Sequence, residues 1–175
     1  QTARNKITLG GNICGNIFFR EAVLPLLLAN SRMTIAGLHG MREVSIHHVF
    51  FEQLRLENGQ FLAQIVTDRS YLSLPFVYFK KRQIGNVGYP LVTIAALKEE
   101  NEIRTAYSGV CPFPFRSDEI DRALNDTSIP LAARIEQAIG KLPAPVLDNA
   151  DGSASYRRFV LEQTMADTVH LLERR

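Results

Sequence analysis

Three short stretches carry residue types that could do chemistry. The first is KITLGGNICGN, residues 6–16. An apolar Ile7-Thr8-Leu9 strand start runs into Gly10, Gly11 and Asn12, which are poor strand formers. Glycines lack a Cβ, so their main-chain N–H groups can approach a ligand closely, and a strand, Gly-Gly, helix order suits a phosphate. Asn12 adds an amide that both donates and accepts. A plain tight turn uses the same residues, so this motif alone leaves both readings open.

The second stretch is Phe79-Lys80-Lys81-Arg82, a basic cluster with aromatic neighbours Phe76 and Tyr78. It could hold a nucleotide phosphate, or it could be an edge strand defended by charge. The third is Tyr156-Arg157-Arg158 in the first turn of a helix. Cations there oppose the helix dipole, which calls for a tertiary explanation such as a buried ion pair or a partner subunit. His47-His48 is a poor metal pair, because adjacent residues on a helix or strand point apart. Cys14 and Cys111 read as buried thiols of a cytosolic protein rather than a disulfide. No Ser-His-Asp or Cys-His arrangement stands in a supporting context.

The elements that must position these residues follow from periodicity and breakers. Residues 7–9 read as a strand and 18–29 as a buried helix. Pro25 requires that helix either to begin near Leu24 or to kink. Residues 33–38 and 42–46 form a hairpin about Gly37 and Gly40. Residues 47–54 read as a short helical turn and 61–68 as a strand. Residues 91–97 are a continuous apolar run, a central strand, returning through Glu99-Glu100-Asn101-Glu102 into a strand over 103–110. The Pro-Phe-Pro-Phe run after Cys111 reads as a packed crossover. Ser117 caps a helix over 118–124, and Ile129-Pro130 opens another through 139. Residues 141–149 are a linker. Asp151-Gly152-Ser153 reads as a turn and N-cap, and residues 153–175 form a long helix with Phe159, Val160, Met165, Val169 and Leu172 on its apolar side.

At 175 residues the chain is one large domain or two small ones. A net charge of +2 gives no electrostatic case for nucleic acid or an anionic membrane. The longest apolar run, residues 22–29, falls far short of the roughly 20 residues a membrane helix needs. The expected location is the cytoplasm. The chain opens on Gln and shows no signal peptide, so it reads as a fragment, a processed product or a trimmed form.

Five pieces in order resemble the FAD-binding subunit of molybdenum hydroxylases, the xanthine dehydrogenase and carbon monoxide dehydrogenase medium-subunit group. They are TLGGNI at 8–13 followed by AVLPLLLA at 22–29, FKKRQIGNVGYPLVTIAAL at 79–97, GVCPFPFRSDEIDRAL at 109–124, and DGSASYRRFVLEQTM at 151–165. The resemblance implies an α+β fold. Residues 1–74 would be the second subdomain of a PCMH-type FAD-binding domain. Residues 75–175 would be the C-terminal antiparallel sheet backed by helices.

It also implies FAD as cofactor, with Thr8, Gly10, Gly11, Asn12 and Ile13 against it and Tyr89 stacked on its ring. Lys80 would neutralise a phosphate or the reduced ring. The family places an acid three residues before the helix proline. That position is Ala22 here, with Glu21 one step away as its substitute for the sugar-alcohol contact. The family also carries an upstream subdomain with a further glycine-rich loop that grips the FAD diphosphate. Without it, flavin binding by this chain is expected to be weak or nil. The implied function is electron relay from 2Fe–2S clusters to FAD and on to NAD or another acceptor. The molybdenum cofactor and iron–sulfur clusters would sit on partner subunits, since this chain shows no ligands for them. The rival readings are a non-catalytic interaction module without flavin and a flavin oxidoreductase acting alone.

Overall fold

The computed structural model describes residues 6–16, 19–84 and 87–174. Phe18 of the predicted helix, Gly85 and Asn86 of the matched stretch 79–97, and Arg175 lie outside these residues. The structure is α+β with antiparallel sheets.

The first element departs from the sequence expectation. Residues 7–9 do not form a strand. Leu9–Cys14 is a short helix, α1, and Thr8 is its N-cap in extended conformation. The Thr8 hydroxyl accepts a 3.0 Å hydrogen bond from the Gly11 N–H. Gly10, Gly11 and Asn12 are therefore helical rather than a turn. Glycine costs a helix about 0.5–1 kcal/mol relative to alanine, and capping with the full burial of Ile13 offsets this.

Arg20 fixes the exit from α1. Its guanidinium donates to the Gly15 carbonyl at 2.9 Å and to the Glu52 carbonyl, and lies over the Phe50 ring. A 3-10 turn, Glu21–Val23, then leads into α2, Leu24–Leu28. Pro25 sits in its first turn, where a missing N–H costs nothing. Of the two arrangements proline allowed, the late helix start is the one formed.

Strands β1 (Arg32–Gly37) and β2 (Gly40–Ser45) make the expected hairpin, and β5 (Phe61–Val66) joins β1 on its other edge. Between them lie α3 (Ile46–Val49) and the two-residue strands β3 (Phe50–Phe51) and β4 (Gln53–Leu54). The helical turn expected over 47–54 is thus half helix and half tight hairpin.

The second sheet runs β6 (Phe76–Ile84), β7 (Val87–Glu99), β8 (Glu102–Ser108) and β9 (Phe115–Arg116), antiparallel and in chain order. Residues 90–97 are buried throughout because both faces of β7 are covered. Side chains alternate across a strand. Val92, Ile94 and Ala96 pack into the core beneath the helices, whereas Ala95 and Leu97 join Leu24, Leu28, Met33 and Ile35 on the opposite face. A strand buried on both sides loses its polar alternation, hence the unbroken apolar run in the sequence.

Three helices cover the first face: α4 (Asp118–Asn125), α5 (Leu131–Ile139) and α6 (Ala154–Glu173). Ser117 and Ser153 cap α4 and α6 as expected. Phe159 is half exposed, so the buried stripe of α6 runs instead through Leu161, Met165, Val169 and Leu172. Arg157 is wholly buried and forms no ion pair among the described residues. It donates to the carbonyls of Leu91 (2.6 Å), Gly109 (2.8 Å) and Leu147 (3.1 Å) and to Asn149 Oδ1 (2.9 Å). The unfavourable cation in the first turn is therefore explained by backbone carbonyls from three segments. Cys111 is buried as expected, but Cys14 is exposed, and both are free thiols.

Candidate functional site

A cavity of about 730 Å³ opens where α1, the 3-10 turn and the β6–β7 edge meet. Thr8, Asn12, Glu21, Lys80 and Tyr89 all line it. Five of the residues predicted from sequence, drawn from four separate segments, thus share one space. Gly10, Gly11 and Ile13 do not line it. Ile13 belongs to the core beneath α1.

The two glycines differ. A Cβ on Gly11 would stand 3.0 Å from Thr8 Oγ1, so glycine there protects the N-cap. A Cβ on Gly10 would meet nothing within 4 Å. No neighbour in the described chain demands glycine at position 10.

Strand period splits the basic cluster. Tyr78, Lys80 and Arg82 alternate onto one face of β6, and Lys80 and Arg82 line the cavity. Lys81 turns to the other face, 3.8 Å from Asp167 of α6. Lys80 does not stand free. Its ammonium pairs with Glu21 Oε2, and both side chains are about four-fifths buried. Glu21 Oε1 accepts a 2.5 Å hydrogen bond from Thr93 Oγ1. Thr93 is the register partner of Lys80 across β6 and β7, so one carboxylate joins two adjacent strands to the N-terminal segment. Burial, and then the Glu21 carboxylate, push the Tyr78 phenol up to about 12. The Glu21 and Lys80 of the sequence reading are therefore each other's partners within the cavity wall.

Tyr89 stacks on Phe19 with ring centroids 4.5 Å apart and planes 5° from parallel. Sequence reasoning named Tyr89 and passed over Phe19, since nothing local links residues so far apart in the chain. Arg82 was visible as part of the basic cluster, and its spacing of two from Lys80 is the signal that puts it on the cavity side. Asn12 Oδ1 and Arg82 Nε are buried without a hydrogen-bond partner among the described residues.

A second polar cavity of about 490 Å³ gathers Asn30, Ser45, His47, His48, Arg104, Arg116 and Asp118. His47 Nε2 lies 2.9 Å from Asn30 Oδ1. Burial, reinforced by Arg116, lowers its pKa. Arg104 pairs with Glu99, and Arg116 pairs with Asp118 and Asp121. Among the described residues no group of three His, Cys, Asp or Glu could hold a metal, and no helix is long and apolar enough to cross a membrane.

The first cavity thus offers an aromatic wall and, among the described residues, an orphaned acceptor on Asn12 and an orphaned donor on Arg82. These features fit a large cofactor that has an aromatic ring, hydrogen-bond donors and anionic groups.

Comparison with known proteins gives the fold and a partial family match. Residues 1–67 match the family model described as the FAD binding domain in molybdopterin dehydrogenase. No curated protein sequence matches the chain. Among solved structures, the fold resembles a carbon monoxide dehydrogenase from Hydrogenophaga pseudoflava that lacks the Mo-pyranopterin moiety of the molybdenum cofactor. The TM-score is 0.80 at 17% identity, over 98% of this chain and 62% of that one. Quinoline 2-oxidoreductase from Pseudomonas putida 86 gives 0.77 at 22% identity, over 98% and 62%. Reconstituted CO dehydrogenase from Oligotropha carboxidovorans gives 0.77 at 18% identity, over 99% and 63%. The chain therefore spans less than two thirds of the length of these structures.

Proposed function

We propose, from the match of residues 1–67 to the FAD binding domain in molybdopterin dehydrogenase, that the first cavity receives FAD and that the chain is part of the flavin subunit of a molybdenum hydroxylase. The observation that carries this is the convergence of Thr8, Asn12, Glu21, Lys80 and Tyr89 on one cavity. Bound there, FAD would supply the redox chemistry, relaying electrons from a partner's 2Fe–2S clusters to NAD or another acceptor, as in an enzyme of xanthine dehydrogenase type.

The chain's own residues bind and orient. The Phe19–Tyr89 stack gives a flat wall for an aromatic ring. Asn12 Oδ1 has no donor among the described residues and is free to accept from a ligand. Glu21 is held still by Lys80 and Thr93, so it presents a fixed rather than mobile carboxylate. A molybdopterin-binding subunit and an iron–sulfur subunit belong to this reading as partners, and the cytoplasm as its location. A division into residues 1–74 and 75–175 is supported by two apolar cores, one built largely from residues 13–74 and one from residues 77–172.

Titration with FAD, followed by quenching of flavin fluorescence, tests the reading. Expected is weak but saturable quenching, abolished by Asn12→Leu. No quenching up to millimolar FAD, or quenching indifferent to Asn12→Leu, overturns it. Anaerobic photoreduction of the FAD-loaded protein then tests the acceptor. Reoxidation by NAD⁺ supports a nicotinamide acceptor, and its failure alongside reoxidation by a quinone or dye assigns another.

A further inference from the structure

The charges lining the first cavity do not cancel. Lys80 is neutralised by Glu21, and Thr93 holds that carboxylate from its other side. This pair has no charge left to offer a ligand. Arg82 lines the same cavity and has no carboxylate partner among the described residues. Its Nε is buried without a hydrogen-bond partner among those residues. A buried guanidinium donor left unmatched is unfavourable, and a ligand acceptor would relieve it. Arginine presents its donors in a planar fork that suits phosphate. The neighbouring groups do not change this balance. Tyr78, two residues before Arg82 on the same face, is a phenol pushed up to about 12 and so neutral at physiological pH.

We infer that Arg82 is the residue by which this cavity recognises the phosphate-bearing arm of an aromatic nucleotide, while Lys80 is a structural cation already spent on Glu21. The inference rests on the reading of the cavity as a flavin site. It adds a ligand class of its own: a ring for the Phe19–Tyr89 wall and a phosphate for Arg82. That phosphate could belong to FAD itself or to a second nucleotide that meets the flavin, and the ligands used in the test separate the two.

The test is fluorescence and calorimetric titration of the whole chain with FAD, riboflavin, ADP and NADH, in the wild type, Arg82→Gln, Arg82→Lys and Lys80→Met. Thermal denaturation of each variant checks folding. Expected is a loss of about tenfold or more in affinity for the phosphate-bearing ligands in Arg82→Gln, with riboflavin unchanged. Arg82→Lys should recover much of the loss. Raising the salt should weaken FAD binding in the wild type more than in Arg82→Gln. An Arg82-dependent effect on FAD assigns the phosphate to the flavin; an effect on NADH or ADP with FAD unchanged assigns it to a second nucleotide. Arg82-dependent ADP binding without any flavin binding would leave this inference standing and remove the flavin reading. Equal affinities in wild type and Arg82→Gln overturn the inference, as does an equal loss for riboflavin. So does a Lys80→Met variant that alone loses the phosphate-bearing ligands, or a wild type that binds none of the four.

Discussion

The Glu21 carboxylate accepts a 2.5 Å hydrogen bond from the Thr93 hydroxyl, although the two residues are 72 positions apart. Its other oxygen holds Lys80 on the neighbouring strand. One side chain from a 3-10 turn thereby ties the N-terminal segment to the central sheet at the cavity wall.

Glu21→Ala should therefore lower stability as well as disturb the cavity, because it leaves the largely buried Lys80 ammonium without a partner. The expected loss is about 1–3 kcal/mol by urea denaturation. Combining it with Lys80→Met should recover much of that, since the stranded charge goes too. A double variant no more stable than Glu21→Ala would show that the ion pair is not the source.

Arg157 should be among the costliest positions to change. Its guanidinium serves the Leu91, Gly109 and Leu147 carbonyls and the Asn149 amide. Gly109 can present its carbonyl there because its φ of +80° suits glycine and because a Cβ would stand 2.9 Å from the Pro90 carbonyl oxygen. Arg157→Met should cost about 3–5 kcal/mol. Arg157→Lys should cost nearly as much, since one ammonium cannot reach all four acceptors. Chemical denaturation of both variants decides it, and a loss under about 1 kcal/mol would contradict the account.

Asp121 gives a pH dependence. Its Oδ1 accepts from the Thr105 N–H at 2.8 Å and the Thr105 hydroxyl at 2.7 Å, and its Oδ2 lies 3.0 Å from Arg116. Burial outweighs these and raises its pKa from 3.8 to about 6. A pKa raised in the folded state means the stabilisation is full below the unfolded value of 3.8 and is lost as pH climbs through about 6. Relative to Asp121→Asn, the wild type should lose on the order of 3 kcal/mol between about pH 4 and pH 7. Urea denaturation at both pH values measures it, and a difference that does not vary with pH would refute the assignment.

Gly10 and Gly11 should respond differently to the same change. Gly10→Ala adds a Cβ to open space in a helix, so it should stabilise the chain by about 0.5–1 kcal/mol and, since Gly10 does not line the cavity, leave FAD uptake unchanged. Gly11→Ala crowds Thr8 Oγ1 at 3.0 Å, and should gain nothing or destabilise through the cap. Melting temperature and FAD titration together separate the effects. Diminished uptake in a folded Gly10→Ala would place the cofactor over Gly10 and contradict this account.

Much of the fold was legible because its signals are local. Ser117 and Ser153 announced α4 and α6, since a hydroxyl beside the first turn satisfies an amide three residues on. The β7–β8 hairpin followed from an apolar run, a polar turn and a returning strand, and Glu100 takes the left-handed conformation in that turn. The error at Leu9–Cys14 was also local in origin. Two glycines outweighed the capping threonine before them, and only the burial of Ile13 against the core tips that segment into a helix.

Chain-local chemistry thus dictated the order of strands and helices, the caps, the turns, and the set of residues worth suspecting: the glycines and asparagine near the start, the basic strand, and Tyr89. Packing alone decided which of them meet. It paired Lys80 with Glu21, stacked Tyr89 on Phe19, left Arg82 Nε without a hydrogen-bond partner among the described residues and sank Arg157 beneath three carbonyls. Hydrogen bonds and side-chain periods act over a few residues, so a sequence displays them directly. The partner of a charge or a ring can be 59 or 72 residues away, and only the closing of the core brings it within reach.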